Sequence, residues 1–215
     1  MIRIVLADDE RMVRTALRVI LDAEPDLTVV GEAATGAEAV AVVRELRPDV
    51  VLMDVRMPEL DGIEATRLLL SGPAAPRIVV VTTFENDAYV YDALRAGAAG
   101  FLLKRAAPEE LVSAVRLVAT SDSLLYPAAV RALAAEHARR QPAAPAWAAR
   151  LTERGAEVLR RMAKGLTNAE IAAGMGVGAA TVKSHVAAVL AKTGARDRTQ
   201  AVIAAYESGF IRPSA

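Results

Sequence analysis

The sequence predicts two folds in tandem: a doubly wound, five-stranded parallel α/β domain followed by a smaller all-α domain. Three observations carry this prediction. Over residues 1–120, short apolar runs alternate with stretches of helical spacing five times, and parallel strands need such crossovers. Beyond Trp147 only short amphipathic helical stretches follow, separated by turns that mostly carry glycine. The charge divides the same way. Residues 1–146 hold 16 basic and 21 acidic residues and residues 147–215 hold 10 and 5, so a formal net charge of zero conceals halves of about −5 and +5.

In the first half, Ile2–Ala7 reads as a strand that ends in Asp8-Asp9-Glu10, and Arg11–Ala23 as a helix through Met12, Ala16, Val19 and Ile20. Leu27–Ala33 is a strand and Gly36–Leu46 a helix. The run Val50-Val51-Leu52-Met53 is too short for an ordinary helix and is β-branched at its start, so it reads as a buried strand that stops at Asp54. Met57-Pro58 marks a loop, and Asp61 opens a helix to Leu70. Strand Ile78–Thr82 with helix Asp87–Ala96, then strand Gly100–Leu103 with helix Pro108–Ala119, complete the alternation.

Polar groups follow four of these strands: Asp8-Asp9, Asp54, Thr82 and Lys104. Taken singly, an acid after a strand is an N-cap for the next helix, as Asp61 is, and a lone lysine is solvated. Their joint occurrence is different, because open parallel sheets place ligands along the edge formed by the C-terminal strand ends. Clustered carboxylates favour a hard divalent cation such as Mg²⁺, and a carboxylate beside one is a nucleophile toward phosphorus while a lysine offsets charge on the equatorial oxygens.

Between the halves, Ser121–Tyr126 breaks the pattern, Ala128–Arg140 is Ala-rich and helix-competent, and Gln141–Pro145 interrupts any continuous helix. The expected domains are therefore 1–120, a connector at 121–146, and 147–215. His137 on the connector has no histidine or cysteine near it in sequence, which speaks against a metal role.

In the second half, Thr152 caps a helix carrying Val158, Leu159 and Met162. Thr167 or Asn168 caps a short second helix, Gly174–Val177 forms a turn, and Ala179–Lys192 is a third helix burying Val182, Val186, Val189 and Leu190. A fourth runs from Thr199 to Ser208. Short helix, Gly-bearing turn and longer helix make a helix-turn-helix pattern, although a helical hairpin for protein contact reads similarly. Thr181, Lys183, Ser184 and His185 in the first turns of the third helix, with Lys192, Arg196 and Arg198 farther on, suit bases and phosphates.

Residues 1–120 resemble the receiver domain of two-component response regulators, a flavodoxin-like fold, through VLADDE (5–10), DVVLMDVRMPELDG (49–62), VVVTTF (79–84) and AGAAGFLLK (96–104). Residues 151–172 (LTERGAEVLRRMAKGLTNAEIA) and 177–202 (VGAATVKSHVAAVLAKTGARDRTQAV) resemble a LuxR-type DNA-binding domain, and the two together a NarL/FixJ-type regulator. The resemblance implies Asp54 as phosphoacceptor, Asp8, Asp9, Asp54 and the Arg56 carbonyl as Mg²⁺ ligands, and Lys104 as the lysine on the phosphoryl group. It implies Thr82 and Phe101 as switch residues. On the DNA side it implies Lys183 and Ser184 toward the groove, Thr181 and Asn168 toward the backbone, and the last helix as a dimer contact.

The sequence departs from these patterns. Arg105 stands where many receivers have proline, and Arg56 places a side chain near the expected phosphorylation site. Gly155 replaces a usual glutamate, Gly178 a serine N-cap and Thr193 a leucine, while Ala187 and Ala188 occupy places often polar or basic. The expectation is an intact fold with weaker or more dimer-dependent DNA binding.

The expected protein is thus a DNA-binding regulator, phosphorylated on Asp54 by a sensor histidine kinase, homodimeric when active and with no enzymatic turnover beyond its own phosphotransfer and dephosphorylation. A regulator of the same fold that binds DNA without phosphorylation is the main alternative; a phosphatase or mutase would need a cap and a general acid that no insertion supplies. The absence of cysteine, of a signal-like N-terminus and of a run of about 18 apolar residues leads to the expectation of a cytoplasmic chain without a membrane partner.

Overall fold

The computed structural model describes residues 1–72, 75–83, 87–120, 125, 129, 130, 132 and 145–212. The Ala-rich connector helix, His137 and the proline-containing interruption expected around 121–144 lie almost entirely outside the described residues. Two compact units are present, Met1–Thr120 and Ser121–Ala215.

In the first unit, strands β1 (Ile2–Ala7), β2 (Leu27–Ala33), β3 (Val50–Asp54), β4 (Arg77–Thr82) and β5 (Gly100–Leu103) pair in the order β2-β1-β3-β4-β5, all parallel. Helices α1 (Arg11–Asp22), α2 (Gly36–Leu46), α3 (Gly62–Leu70), α4 (Asp87–Ala96) and α5 (Pro108–Thr120) make the connections. Every residue of β3 is buried, as its unbroken apolar run requires for a central strand covered on both faces. Ile4, Leu6, Leu52, Met53, Ile78 and Leu102 are among the most deeply buried side chains.

Local chemistry sets the helix starts. Thr35 caps α2 by accepting from the Glu38 N–H, and Asp61 caps α3 by accepting from that of Glu64. On the outer side, Arg116 of α5 donates to Glu24 and Asp26 in the turn between α1 and β2, which draws Asp26 below the ordinary carboxylate range. No cis peptide occurs among the described residues, so the bond between Lys104 and Arg105, the position of the missing proline, is trans.

One glycine fixes the site. The Gly62 N–H donates to the Val55 carbonyl at 2.9 Å, and a Cβ on Gly62 would lie 1.8 Å from the carbonyl oxygen of Asp54. The start of α3 therefore presses directly on the end of β3.

In the second unit, a 3₁₀ turn (Ala148–Arg150) precedes α6 (Glu153–Ala163), α7 (Asn168–Met175), α8 (Ala179–Thr193) and α9 (Arg198–Glu207). Val158, Leu159, Met162, Ile171, Val182, Val189 and Val202 form a fully buried core. Trp147 and Phe210, on either side of the four helices, meet with ring centroids 5.2 Å apart, and the Arg160 guanidinium lies over Phe210. Leu190 and Val186 are half-buried rather than core.

Gly62→Ala is expected to lower the stability of the full chain by about 3 kcal/mol, since the added methyl overlaps backbone that cannot swing aside. Thermal unfolding measures this, and an unchanged midpoint would contradict the close approach of α3 to β3.

Candidate functional site

The order of the sheet places β1 beside β3, and each ends in acid. Helices α1 and α3 follow β1 and β3, the strands on either side of this junction, and lead away from it to β2 and β4, so the loops diverge there and leave a crevice. Asp8 is 2% exposed and Asp54 6%. Thr82, 4% exposed, ends the next strand, and its carbonyl accepts from the Lys104 N–H at 2.8 Å, which fixes where the lysine side chain begins.

From the end of β5 the Lys104 ammonium reaches back across the crevice. It lies 2.7 Å from Asp8 Oδ2, 3.3 Å from Glu10 Oε1 and 3.5 Å from Asp54 Oδ2. The contact with Asp8 is a close ion pair, and Lys104 is the group facing Asp8 Oδ2. Burial works against the charge on Lys104, but Asp8, Asp54 and Glu10 outweigh it and hold the ammonium above its ordinary pKa. For Asp54 the balance goes the other way. Burial raises its pKa and the Asp8 charge adds to this; Lys104 only partly opposes them, and the carboxyl is pushed up to about 6.

Carboxylate oxygens of Asp8, Asp9 and Glu10 lie within 4.8 Å of one another. A set of three convergent carboxylates, all hard oxygen donors, fits a small divalent cation. Glu10 is the residue that the sequence did not single out; its place directly after the acid pair was the available signal.

Other expected residues fall nearby. Arg56 is exposed, with its guanidinium 5.4 Å from the centre of the Tyr89 ring. Phe101 is half-buried on β5, opposite Val80, and Thr82 lies opposite Leu103.

In the second unit, α7 and α8 meet at 110° across the three residues Gly176–Gly178, the angle and turn length of a helix-turn-helix. Gly176 has φ +66 and ends α7 as a left-handed cap. Thr167 and Glu170 form a reciprocal capping box at the start of α7, so the cap is Thr167 and not Asn168. Gly178 begins α8 without a side-chain cap.

On α8, Thr181, Lys183 and Ser184 are exposed, and the Ser184 hydroxyl donates to the Ala180 carbonyl. His185 and Lys192 are half-buried, and Ala187 and Ala188 are exposed. Asn168 lies at the start of α7. It is 8% exposed and its Oδ1 accepts from Arg198, whose guanidinium also donates to the Leu166 carbonyl. That oxygen is tied to an arginine 30 residues further on. Arg198 is itself buried and so is not an outward cation.

Gly155 and Thr193 have local explanations. The Gly155 N–H donates to the Thr152 hydroxyl as part of the α6 cap, and the Thr193 hydroxyl donates to the carbonyls of Val189 and Leu190 at the end of α8.

A flavodoxin-like sheet with an acid and lysine crevice at its switch point, and a separate helix-turn-helix unit, define a receiver and DNA-binding class of protein. Comparison with known families agrees. The response regulator receiver domain model matches residues 4–116, and that of bacterial regulatory proteins of the luxR family matches residues 149–205. The chain belongs to the response regulators that join a receiver domain to a LuxR-type DNA-binding domain. It is 41% identical over 213 residues to YxjL of Bacillus subtilis, described as an uncharacterized transcriptional regulatory protein, covering 98% of each chain. It is 37% identical to the response regulator protein VraR of Staphylococcus aureus, covering 98% of this chain and 99% of the relative. Among solved structures it resembles the receiver domain of the putative response regulator NarL from Mycobacterium tuberculosis, with TM-score 0.54 and 37% identity over 55% of this chain and 96% of that one. It also resembles the response regulator ChrA of a heme-sensing two-component system, with TM-score 0.53 and 35% identity over 98% of both chains.

The raised Asp54 pKa has a consequence for stability. Between the ordinary carboxylate range and about 6, the folded protein binds this proton more tightly than the unfolded chain does, so its contribution to stability falls as pH rises through that window. In metal-free buffer at pH 7, Asp54→Asn is expected to be more stable than the parent by about 2 kcal/mol after allowance for solvent screening. The difference should vanish near pH 4 in denaturant titrations; a pH-independent difference would contradict the cause given.

Proposed function

We propose that this regulator is switched by transfer of a phosphoryl group from a sensor histidine kinase to Asp54, and that the switch controls dimerisation and transcription. Residues 1–120 act as the receiver, 121–146 as the connector and 147–215 as the DNA-binding domain. The observation that carries the reading is the buried carboxylate of Asp54 facing the Lys104 ammonium, with Asp8 and Thr82 on the flanking strands.

In the transfer, an Asp54 carboxylate oxygen attacks phosphorus. The P–N bond of the donor phosphohistidine breaks, and the imidazole nitrogen retains the bonding pair. Lys104 meets the negative equatorial oxygens, and the Thr82 hydroxyl supplies a hydrogen-bond donor to them. Asp8, Asp9, Asp54 and the Arg56 carbonyl are the residues that would hold Mg²⁺, which when bound offsets charge on the transferred group. Recruitment of Thr82 would let Phe101 change rotamer and bias the surface formed by α4, β5 and α5. Water later attacks the same phosphorus, the P–O bond to Asp54 breaks, and the carboxylate leaves as inorganic phosphate is released.

At the other end, Thr181, Lys183 and Ser184 of α8 are exposed at its N-terminal part, which supports insertion into the major groove of double-stranded DNA. His185 and Lys192 contribute packing and backbone contact. Dimers would then bind half-sites about 10 base pairs apart, or a multiple of this. A cytoplasmic location agrees with these partners, and no single helix among the described residues is long and apolar enough to cross a membrane.

With Mg²⁺ and a small phosphodonor such as acetyl phosphate, the parent chain should take up one acid-stable, base-labile phosphoryl group and Asp54→Asn none. Undiminished labelling of that variant would remove Asp54 from the role. If phosphorylated and unphosphorylated chains bind DNA alike, the regulator works without phosphorylation.

Lys183→Ala is expected to weaken DNA binding and to reduce the slope of log K against log salt by about 0.9, the release of one counterion. An unchanged slope would assign Lys183 to a base or to no contact.

A further inference from the structure

The acid turn after β1 is held from behind by an arginine of α1. Arg14 is largely buried, its side chain 13% exposed. Its Nη1 donates to the Asp8 carbonyl at 2.6 Å and lies 3.4 Å from the Asp9 carbonyl, while its Nε donates to Glu32 Oε2 on β2 at 3.2 Å. Glu32 also accepts from Arg18 Nε at 2.6 Å; Arg18 first and Arg14 after it keep this carboxylate ionised well below its ordinary range.

The rest of the Asp8 backbone and one side-chain oxygen are fixed as well. The Asp8 N–H donates to the Ala33 carbonyl at 3.1 Å, and Asp8 Oδ1 accepts from the Glu10 N–H at 2.9 Å. Only Oδ2 is left to face Lys104 and the crevice. The guanidinium fork thus spans two anchors: the carbonyls that carry the acid turn, and a carboxylate on the neighbouring strand.

We propose that Arg14, braced by Glu32, is a positioning residue for the metal-binding acids, fixing the turn from Asp8 to Glu10 so that their carboxylates converge and Mg²⁺ binds. This rests on the reading of Asp8 and Asp9 as Mg²⁺ ligands. Arg14 touches neither the cation nor the phosphoryl group; it acts through the two carbonyls. Groups that orient metal ligands from outside the coordination shell typically change affinity by about 10–100-fold when removed.

The sign of the effect separates positioning from bulk electrostatics. Arg14 is a cation near a cation site, so removing its charge alone would tighten Mg²⁺ binding. Loss of positioning weakens it instead. Arg18 supplies the control, because it shares Glu32 but reaches the Val29 carbonyl rather than the acid turn.

The test is isothermal titration of the full-length chain with MgCl₂, comparing Arg14→Ala, Arg14→Lys and Arg18→Ala, with thermal unfolding run in parallel. All three variants should melt below the parent, having lost contacts to Glu32. Arg14→Ala is expected to bind Mg²⁺ about tenfold more weakly. Arg14→Lys, which keeps the charge but not the fork, should also bind more weakly and carries the test if the alanine variant does not fold. Arg18→Ala should bind like the parent. Parent-like or tighter binding by the Arg14 variants, or an equal loss in Arg18→Ala, overturns the proposal. A parent chain that does not bind Mg²⁺ overturns the underlying reading of the acids, a result seen without any variant.

Discussion

In the crevice of the first domain two buried carboxylates, Asp8 and Asp54, depend on Lys104 for a facing ammonium. Lys104 stands between Asp8, Asp54 and Glu10, and it must reach them from the end of β5, on the far side of β4 from Asp54. Its backbone tie to Thr82 and its 10% exposed side chain show how completely the chain commits this lysine to the task. Burial tells most at Asp54, whose carboxyl is pushed up to about 6 although Lys104 opposes the shift. A site in that condition is stabilised by another cation, and the charge of Asp54 is the quantity that cation would govern.

The clustering of these buried carboxylates constrains the scaffold around them. Like charges brought together repel, so their backbones must be held by interactions that do not depend on the charges. The close seating of Gly62 on the Asp54 carbonyl, the bond from Gly62 to Val55 and the Asp61 cap fix the far side of the crevice. On the near side, Ala33 and the Glu10 N–H hold Asp8. The sheet order matters because it sets β1 against β3 in register, with Leu6 opposite Leu52 and Ala7 opposite Met53, so the two acids that follow emerge side by side.

What the sequence made legible follows from the range of the interactions. Strand β3 was readable because burial on both faces demands an unbroken apolar run, and its end at Asp54 was readable because the run stops there. Asp8, Asp54, Thr82 and Lys104 could be brought to one edge because in a parallel sheet every strand points the same way. Asn168 shows the limit. A polar residue at the start of a helix looks available for a cap or for DNA, and the arginine that draws it inward lies 30 residues further on. The pairing of Arg14 with Glu32 is equally silent in sequence, since neither residue has a local pattern that names the other. Glu10 was in plain view but had no distinguishing feature until Lys104 was seen beside it.

The second domain shows where charge is scarce. The exposed start of α8 offers Lys183 among Thr181, Ser184, Ala187 and Ala188, and Arg198, the buried cation of α9, is occupied by Leu166 and Asn168. On the proposed reading, the net positive charge of this half would act mainly as a diffuse attraction for phosphate, with few fixed contacts from α8. Weak binding by one such domain would make the proposed control by dimerisation effective. When two such domains are joined, the second contact becomes intramolecular and its effective concentration replaces the free one, a gain of about 10²–10⁴ without any new contact. A domain that bound tightly alone would occupy DNA whatever the state of Asp54, whereas under the proposed function an alanine-faced α8 would leave the decision to whether two copies are held together.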